Sequence, residues 1–170
     1  MKYIIQDYKA ITGGKGILEN LKTCIKAEFL AVFVFRLYSA LYWIKPLRPI
    51  SYFFYQVSKI LFSVDIHPMA KIGPGFVIAH LGSIVIGGHS VVGNNVSVNS
   101  CVTLGEARLG EGMPKVENNC YISTGAKLLG NIVVKEGSVI GANAVVVKSF
   151  DEAGTIVGIP AILKKNKCLL

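Results

Sequence analysis

The feature that most constrains this chain is an apolar residue at every sixth position in its C-terminal part. A period of six matches neither the 3.6-residue repeat of a helix nor the two-residue alternation of a strand. It is typical of a parallel β-helix, in which each short side of a triangular coil contributes one inward-facing anchor. The main set of anchors is Ile86, Val92, Val98, Leu104, Val116, Ile122, Leu128, Val134, Ile140 and Val146, and an earlier set, offset by two residues, is Ile66, Ile72, Ile78 and Ile84.

A second set of small or apolar residues follows four positions after the main anchors. Its members are Ser90, Val96, Val102, Cys120, Ala126, Ile132, Ser138 and Ala144. Glycine or asparagine often lies between the two sets, where a corner needs positive φ. Three sides give coils of about 18 residues stacked about 4.8 Å apart, so residues 64–158 predict about five coils. A β-sandwich would instead need turns every 8–12 residues.

The first part of the chain has helical rather than six-residue spacing. Residues 16–26 and 51–63 predict helices, and the apolar run 29–44 is shorter than the roughly 20 residues that span a bilayer. Pro46 and Pro49 separate this apolar run from the helix predicted at 51–63. We therefore predict a mainly β protein with an N-terminal helical, apolar segment (1–63), a β-helix domain (64–163) and a basic tail (164–170).

The charge of the chain is +8, and residues 1–64 carry nine Lys and Arg against three acids. Such a surface suits nucleic acid, anionic lipid or a phosphorylated cofactor, but the chain has no Arg-rich run or nucleic-acid-binding motif. The apolar N-terminal segment allows two interpretations: packing on the β-helix end or between subunits, or peripheral membrane contact through residues 29–60. Since no secretion signal is visible, we expect a cytoplasmic location with free thiols. The second interpretation would place the protein at the inner face of the membrane.

Several segments resemble the hexapeptide-repeat acyltransferases. They are residues 64–75 with His80, then 102–105, 125–132, 140–143 and 158–161. The similarity is greatest to serine O-acetyltransferases and to sugar O-acetyltransferases of surface-polysaccharide synthesis. The resemblance implies a left-handed β-helix, a homotrimer, and acetyl-CoA bound as co-substrate between neighbouring subunits.

The same resemblance assigns the catalytic groups. Transfer of an acetyl group from a thioester to a hydroxyl needs a base, and a near-neutral histidine is the usual one. The resemblance implies that His80 is this base and that Asp65 is its carboxylate partner. His67 is interpreted as a structural corner residue and His89 as exposed. No two histidines are closely spaced, so no metal site is expected.

For the co-substrate, the resemblance points to backbone groups near Gly105, Thr124, Gly125 and Ala142, with Lys164 beside the CoA phosphates. Gly105 is also a candidate donor to the oxyanion. An alternative is that these glycines only turn corners and that Lys164 belongs to a solvated basic tail.

Two departures from the serine acetyltransferases bear on the acceptor. Those enzymes carry Asp-His where this chain has Ala79-His80, and Arg-His-Pro-Lys where it has residues 112–115, Gly-Met-Pro-Lys. The replaced groups are those that hold the amino acid, and residues 106–113 are expected to contact the acceptor. We therefore predict acetyl transfer to a sugar hydroxyl, small-molecule or lipid-linked. The alternatives are serine O-acetyltransferase and, in another class, a non-catalytic β-helix scaffold.

Overall fold

A computed structural model describes residues 2–12 and 26–164 of the chain. Its helices are α1 (Lys2–Thr12), α2 (Ala27–Tyr42) and α3 (Arg48–Phe62), with a 3₁₀ turn at Lys45–Leu47. The proline that opens α3 occupies a position that needs no backbone N–H donor. Most of the helix predicted at 16–26 lies outside the described residues. Within the described ranges, no helix is both long enough and apolar enough to cross a bilayer.

The rest of the chain forms short strands that stack into three sheets. Sheet A contains β1 (Val64–Ile66), β4 (Ile84–Ile86), β7 (Thr103–Gly105), β10 (Lys127–Leu129) and β13 (Val145–Val146). Sheet B contains β2 (Lys71–Ile72), β5 (Val91–Val92), β8 (Lys115–Val116) and β11 (Val133–Val134). Sheet C contains β3 (Val77–Ile78), β6 (Ser97–Val98), β9 (Tyr121–Ile122), β12 (Val139–Ile140), β14 (Thr155–Gly158) and β15 (Ala161–Lys164).

This arrangement confirms the predicted parallel β-helix of about five coils. Every strand pair is parallel except the closing pair of β14 and β15. All anchors of both sets, and all residues of the second set, are buried. Each anchor therefore stacks on the anchor of the coil below and forms one continuous core.

The coils differ in length at two places, and the strand register locates both. Val64 pairs with Ile84, twenty residues later, whereas Val85 pairs with Thr103, eighteen later. Two extra residues thus lie in the turn at 79–83, which explains the offset between the two anchor sets. Thr103 pairs with Lys127, twenty-four residues later, because the loop between β7 and β8 is six residues longer than the matching turn before β5.

The helices close the first coil through a buried ion pair. Arg36 donates to the Asp7 carboxylate at 2.8 and 3.1 Å and to the carbonyls of Ile72 and Gly73 at 2.5 and 2.6 Å. Asp7 also accepts from the Phe76 amide at 2.9 Å. These contacts satisfy polar backbone groups beside β2 and β3, which are edge strands of sheets B and C among the described residues.

Removing one member of this pair should destabilise the fold strongly. The Asp7 and Arg36 side chains are only 1% and 8% exposed, so Asp7→Ala leaves an unpaired buried guanidinium. We expect a loss of about 3–5 kcal/mol in the free energy of unfolding, measured by urea denaturation. The control is Glu111→Ala, whose partner Arg108 is 85% exposed and which should change stability by less than about 1 kcal/mol. Equal losses for the two variants would contradict this account.

Candidate functional site

Four of the seven predicted site residues lie on the edge where sheet C passes into sheet A. We call this edge the C–A corner, comprising residues 79–83, 99–102, 123–126 and 141–144. Backbone hydrogen bonds tie its levels together: Cys101 N donates to Gly82 O at 2.7 Å, Gly125 N to Ser100 O at 2.9 Å, and Asn143 N to Thr124 O at 2.9 Å. His80, Thr124, Gly125 and Ala142 therefore lie on one edge of the solenoid.

His80 occupies the two-residue insertion of the first turn of this corner. Its side chain is exposed, and the turn at 79–83 has two residues more than the matching turn of the next coil. Among the residues that the structure describes, His80 has no hydrogen bond or ion pair. The imidazole is therefore free to contact a molecule bound along the corner.

Above His80, the C–A corner is lined by small side chains. Thr124 and Ala142 are exposed, and the Thr124 hydroxyl lies 3.0 Å from both the carbonyl and the hydroxyl of Ser100. Gly125 has φ +73°, and a side chain there would overlap the Asn143 amide oxygen. Gly125 thus has a structural reason to be glycine, while the strip beside it stays open.

Two predicted residues lie elsewhere in the single chain. Gly105 ends β7, at the edge where sheet A passes into sheet B. Its φ is not in the positive region, and the nearest atom to an added Cβ would be 3.8 Å away, so neither backbone nor crowding requires glycine there. Lys164 ends β15 opposite Thr155, on the side of sheet C away from the C–A corner.

Asp65 lies on β1 and pairs with Val85 of β4, the strand that follows the His80 turn, and it makes no hydrogen bond to His80. The first residue of β4, Ile84, directly follows this turn, and its N–H donates to Ser63 O at 3.2 Å, two residues before Asp65. The Asp65 carboxylate is instead held by helix α3, through the Tyr55 hydroxyl and the Lys59 ammonium. Sequence spacing could not show these two partners, because they come from a different element.

The other two histidines lie at the edge where sheet A passes into sheet B. We call this edge the A–B corner, comprising residues 67–70, 87–90, 106–114 and 130–132. His67 is half-buried against Gly88, and its Nδ1 accepts from the Met69 amide at 3.2 Å. Burial lowers the pKa of His67. The Asp65 carboxylate opposes this shift, and His89 adds to it. His89 is exposed on the next coil. The A–B corner thus has one packed and one exposed histidine.

Cavities also lie away from the C–A corner. One of about 470 Å³ separates helix α2 from sheet B and is lined by Arg36, Trp43, Lys71 and Val91, among others. It contains none of the predicted site residues. The C–A corner is an exposed edge, so a second molecule would be needed to enclose a substrate there.

Comparison with known proteins extends this description. Residues 113–148 match the bacterial transferase hexapeptide family, described as six repeats. The chain is 36% identical to a serine acetyltransferase of Buchnera aphidicola over 96% of its own length and 65% of the relative's. A Neisseria gonorrhoeae serine acetyltransferase solved with serine superposes with a TM-score of 0.81 at 31% identity, covering 95% of this chain and 67% of that one. The chain belongs to the hexapeptide-repeat transferase family.

Another solved member of the family contains the expected co-substrate product. The serine acetyltransferase of Brucella abortus in complex with coenzyme A superposes with a TM-score of 0.85 at 31% identity, over 95% of this chain and 66% of that one. This hexapeptide-repeat protein thus spans about two thirds of the length of these relatives. They are serine acetyltransferases, so they do not support the sugar acceptor and the role in polysaccharide synthesis that the sequence led us to expect. They also do not support the membrane contact that the sequence left open as one of two interpretations.

The segment that departs from the serine acetyltransferase pattern folds back onto the A–B corner of this hexapeptide-repeat protein. The Met113 thioether fills the space that a side chain on Gly87 would need. The Ser90 hydroxyl donates to the Met113 sulfur at 3.8 Å. Met113 therefore packs as an apolar contact between coils, and it offers no charge at this position.

The lowered pKa of His67 predicts a pH-dependent part of the stability. An unfolded histidine has a pKa of about 6.5, so below that pH the unfolded chain binds the proton more readily than the fold does. The stability that neutral His67 contributes is present above about pH 6.5 and is lost as the pH falls towards its folded pKa. His67→Asn, which keeps an acceptor for the Met69 amide, should lose less melting temperature than the wild type between about pH 8 and 5. Parallel losses in thermal scans would contradict this.

Proposed function

We propose that this protein is an acetyl-CoA-dependent O-acetyltransferase in which His80 is the general base. The observation that carries the proposal is the position of His80, exposed and unpaired within the described residues, in a local insertion of an otherwise regular solenoid. A structural repeat needs no such insertion. Small residues on the same corner leave a strip along which an extended thioester could lie.

In the proposed reaction, His80 takes the proton of the acceptor hydroxyl as its oxygen attacks the acetyl carbonyl carbon. The resulting tetrahedral oxyanion collapses, the carbon–sulfur bond breaks, and His80 returns the proton to the thiolate of CoA. Asp65 would stabilise the imidazolium that forms between these two transfers. General acid–base catalysis of this kind contributes about 10²–10⁴-fold to the rate.

A homotrimer would complete the site. Gly105 and Lys164 lie on edges other than the C–A corner, so one chain does not bring all the predicted residues together. If the C–A corner of one subunit faces another edge of its neighbour, the groove between the two subunits is lined by residues from both edges. Enclosure between subunits would also exclude water from the thioester.

We propose L-serine as the first acceptor to test, because the relatives are serine acetyltransferases and one was solved with serine. One observation favours a second candidate. Ala79 and Met113 supply no charge for an amino acid's ammonium and carboxylate, and the Met113 side chain packs on the A–B corner. These residues favour a hydroxyl acceptor without those charges, for example a sugar.

Substitution of His80 tests the catalytic part of the proposal. Because His80 is exposed, His80→Ala should leave the melting temperature unchanged and lower kcat by about 10²–10⁴-fold. The matched control is His89→Ala, another exposed histidine, at the A–B corner, which should keep full turnover. Full turnover by the His80 variant would favour a non-catalytic scaffold.

The acceptor is tested by thiol release from acetyl-CoA with L-serine and, separately, with nucleotide-linked and lipid-linked sugars. We expect turnover with L-serine and none with the sugars. Ala79→Asp should then lower the KM for serine by adding a carboxylate next to His80. Turnover with a sugar alone would contradict the serine acceptor and support the second candidate.

A further inference from the structure

Helix α3 holds both oxygens of the Asp65 carboxylate. The Tyr55 hydroxyl donates a hydrogen bond to Oδ1, and the Lys59 ammonium lies 3.1 Å from Oδ2. These two residues are one helical turn apart, so they reach the same strand from the same face of α3. The carboxylate that the proposed reaction needs is therefore oriented by an element outside the β-helix.

Tyr55 is well placed to act as a permanent donor. Its ring is buried between Tyr38, at 5.8 Å between centroids, and His67, at 6.0 Å. Burial and the adjacent Asp65 raise the pKa of Tyr55 well above its ordinary value. The phenol therefore stays protonated over any working pH and can only donate to Asp65.

The Tyr55 ring is also fixed relative to strand β1. The Tyr38 hydroxyl donates to Ile66 O at 2.6 Å, which ties helix α2 to the residue after Asp65. The Ser51 hydroxyl donates to Tyr38 O at 2.7 Å, which ties α3 to α2. These two bonds connect α3 through α2 to β1, so Tyr55 lies on a helix that is held against the strand carrying Asp65.

Lys59 alone would hold the carboxylate less firmly. Its side chain is 36% exposed and that of Asp65 is 34% exposed, so solvent screens the ion pair. The titratable and charged groups that contact Asp65 or act on it electrostatically are Tyr38, Tyr55, Lys59 and His67, and no contact between Asp65 and His80 is present among the described residues. Of these, Tyr55 is the one with both a fixed position and a direct hydrogen bond to the carboxylate.

We propose that Tyr55 is a positioning residue for the reaction: it orients the Asp65 carboxylate so that Asp65 can stabilise the His80 imidazolium. This inference rests on the proposed function. Without the hydroxyl, Oδ1 loses its donor and the carboxylate turns towards Lys59. Because catalysis depends on placement within about 1 Å, a small rotation of this group lowers the rate of the chemical step rather than substrate binding.

Tyr55→Phe tests the inference, since it removes one hydroxyl and keeps the ring. We expect kcat to fall about tenfold or more while the KM for acetyl-CoA stays within about twofold. The matched control is Tyr52→Phe, an exposed tyrosine on the same helix, which should leave both unchanged. If Tyr55→Phe does not fold, Lys59→Met, which removes the other partner of Asp65, should also lower kcat at unchanged KM.

A double variant separates positioning from a general structural role. If Tyr55 acts through Asp65, then Tyr55→Phe should cost nothing further in an Asp65→Asn background. Equal kcat values for Tyr55→Phe and Tyr52→Phe, or additive losses in the double variant, would overturn the inference while His80→Ala remains inactive. Full turnover by His80→Ala would instead overturn the proposed function itself, and with it the role of Tyr55.

Discussion

The stacking of identical inward positions from coil to coil is the constraint on which the rest of this structure depends. Each coil pairs its backbone with the coils above and below, and its anchors contact the anchors of the same column. Extra residues cannot enter a side of the triangle without moving its anchors out of register. Both insertions accordingly lie in turns, at 79–83 and between β7 and β8, and the first carries His80. The regular core thus confines chemical variation to the corners.

A stack of coils has two open ends, and the helical segment closes the first one. Buried Asp7 and Arg36 pair with each other and with backbone groups of the first coil, where an apolar helix face alone would leave those groups unsatisfied. The same helical unit reaches strand β1 through Tyr38 and Tyr55. Closure of the solenoid and orientation of Asp65 therefore come from one set of contacts.

The six-residue period was enough to predict the solenoid, because inward positions in a β-helix are read directly from sequence. It placed Cys120 and the other small residues of the second set inside, and all are buried. The offset of two residues between the two anchor sets also marked the place of the insertion before β4. Only the strand register showed that the offset comes from two extra residues in the turn at 79–83. The family resemblance, rather than the period, nominated His80, Thr124, Gly125 and Ala142, and the strand order of the structure places these four on one corner.

Other features could not be read from the sequence. Arg36 interrupts an apolar run, and nothing local indicates that it pairs with Asp7, 29 residues earlier. The contacts of Asp65 with Tyr55 and Lys59 depend on how α3 packs on β1, which no repeat specifies. The acceptor depends on a few side chains around a corner, and the period of the solenoid carries no information about them. For that reason the sequence favoured a sugar, whereas the relatives are serine acetyltransferases.

The central claim is that the C–A corner binds the thioester co-substrate beside His80. Amide hydrogen exchange of the intact protein, with and without saturating CoA, tests this most directly, because it reports binding without requiring the acceptor to be known. We predict slower exchange on CoA addition in the turns at 79–83, 99–102, 123–126 and 141–144. Unchanged exchange in all four turns, with protection confined to other edges of the solenoid, would contradict the account.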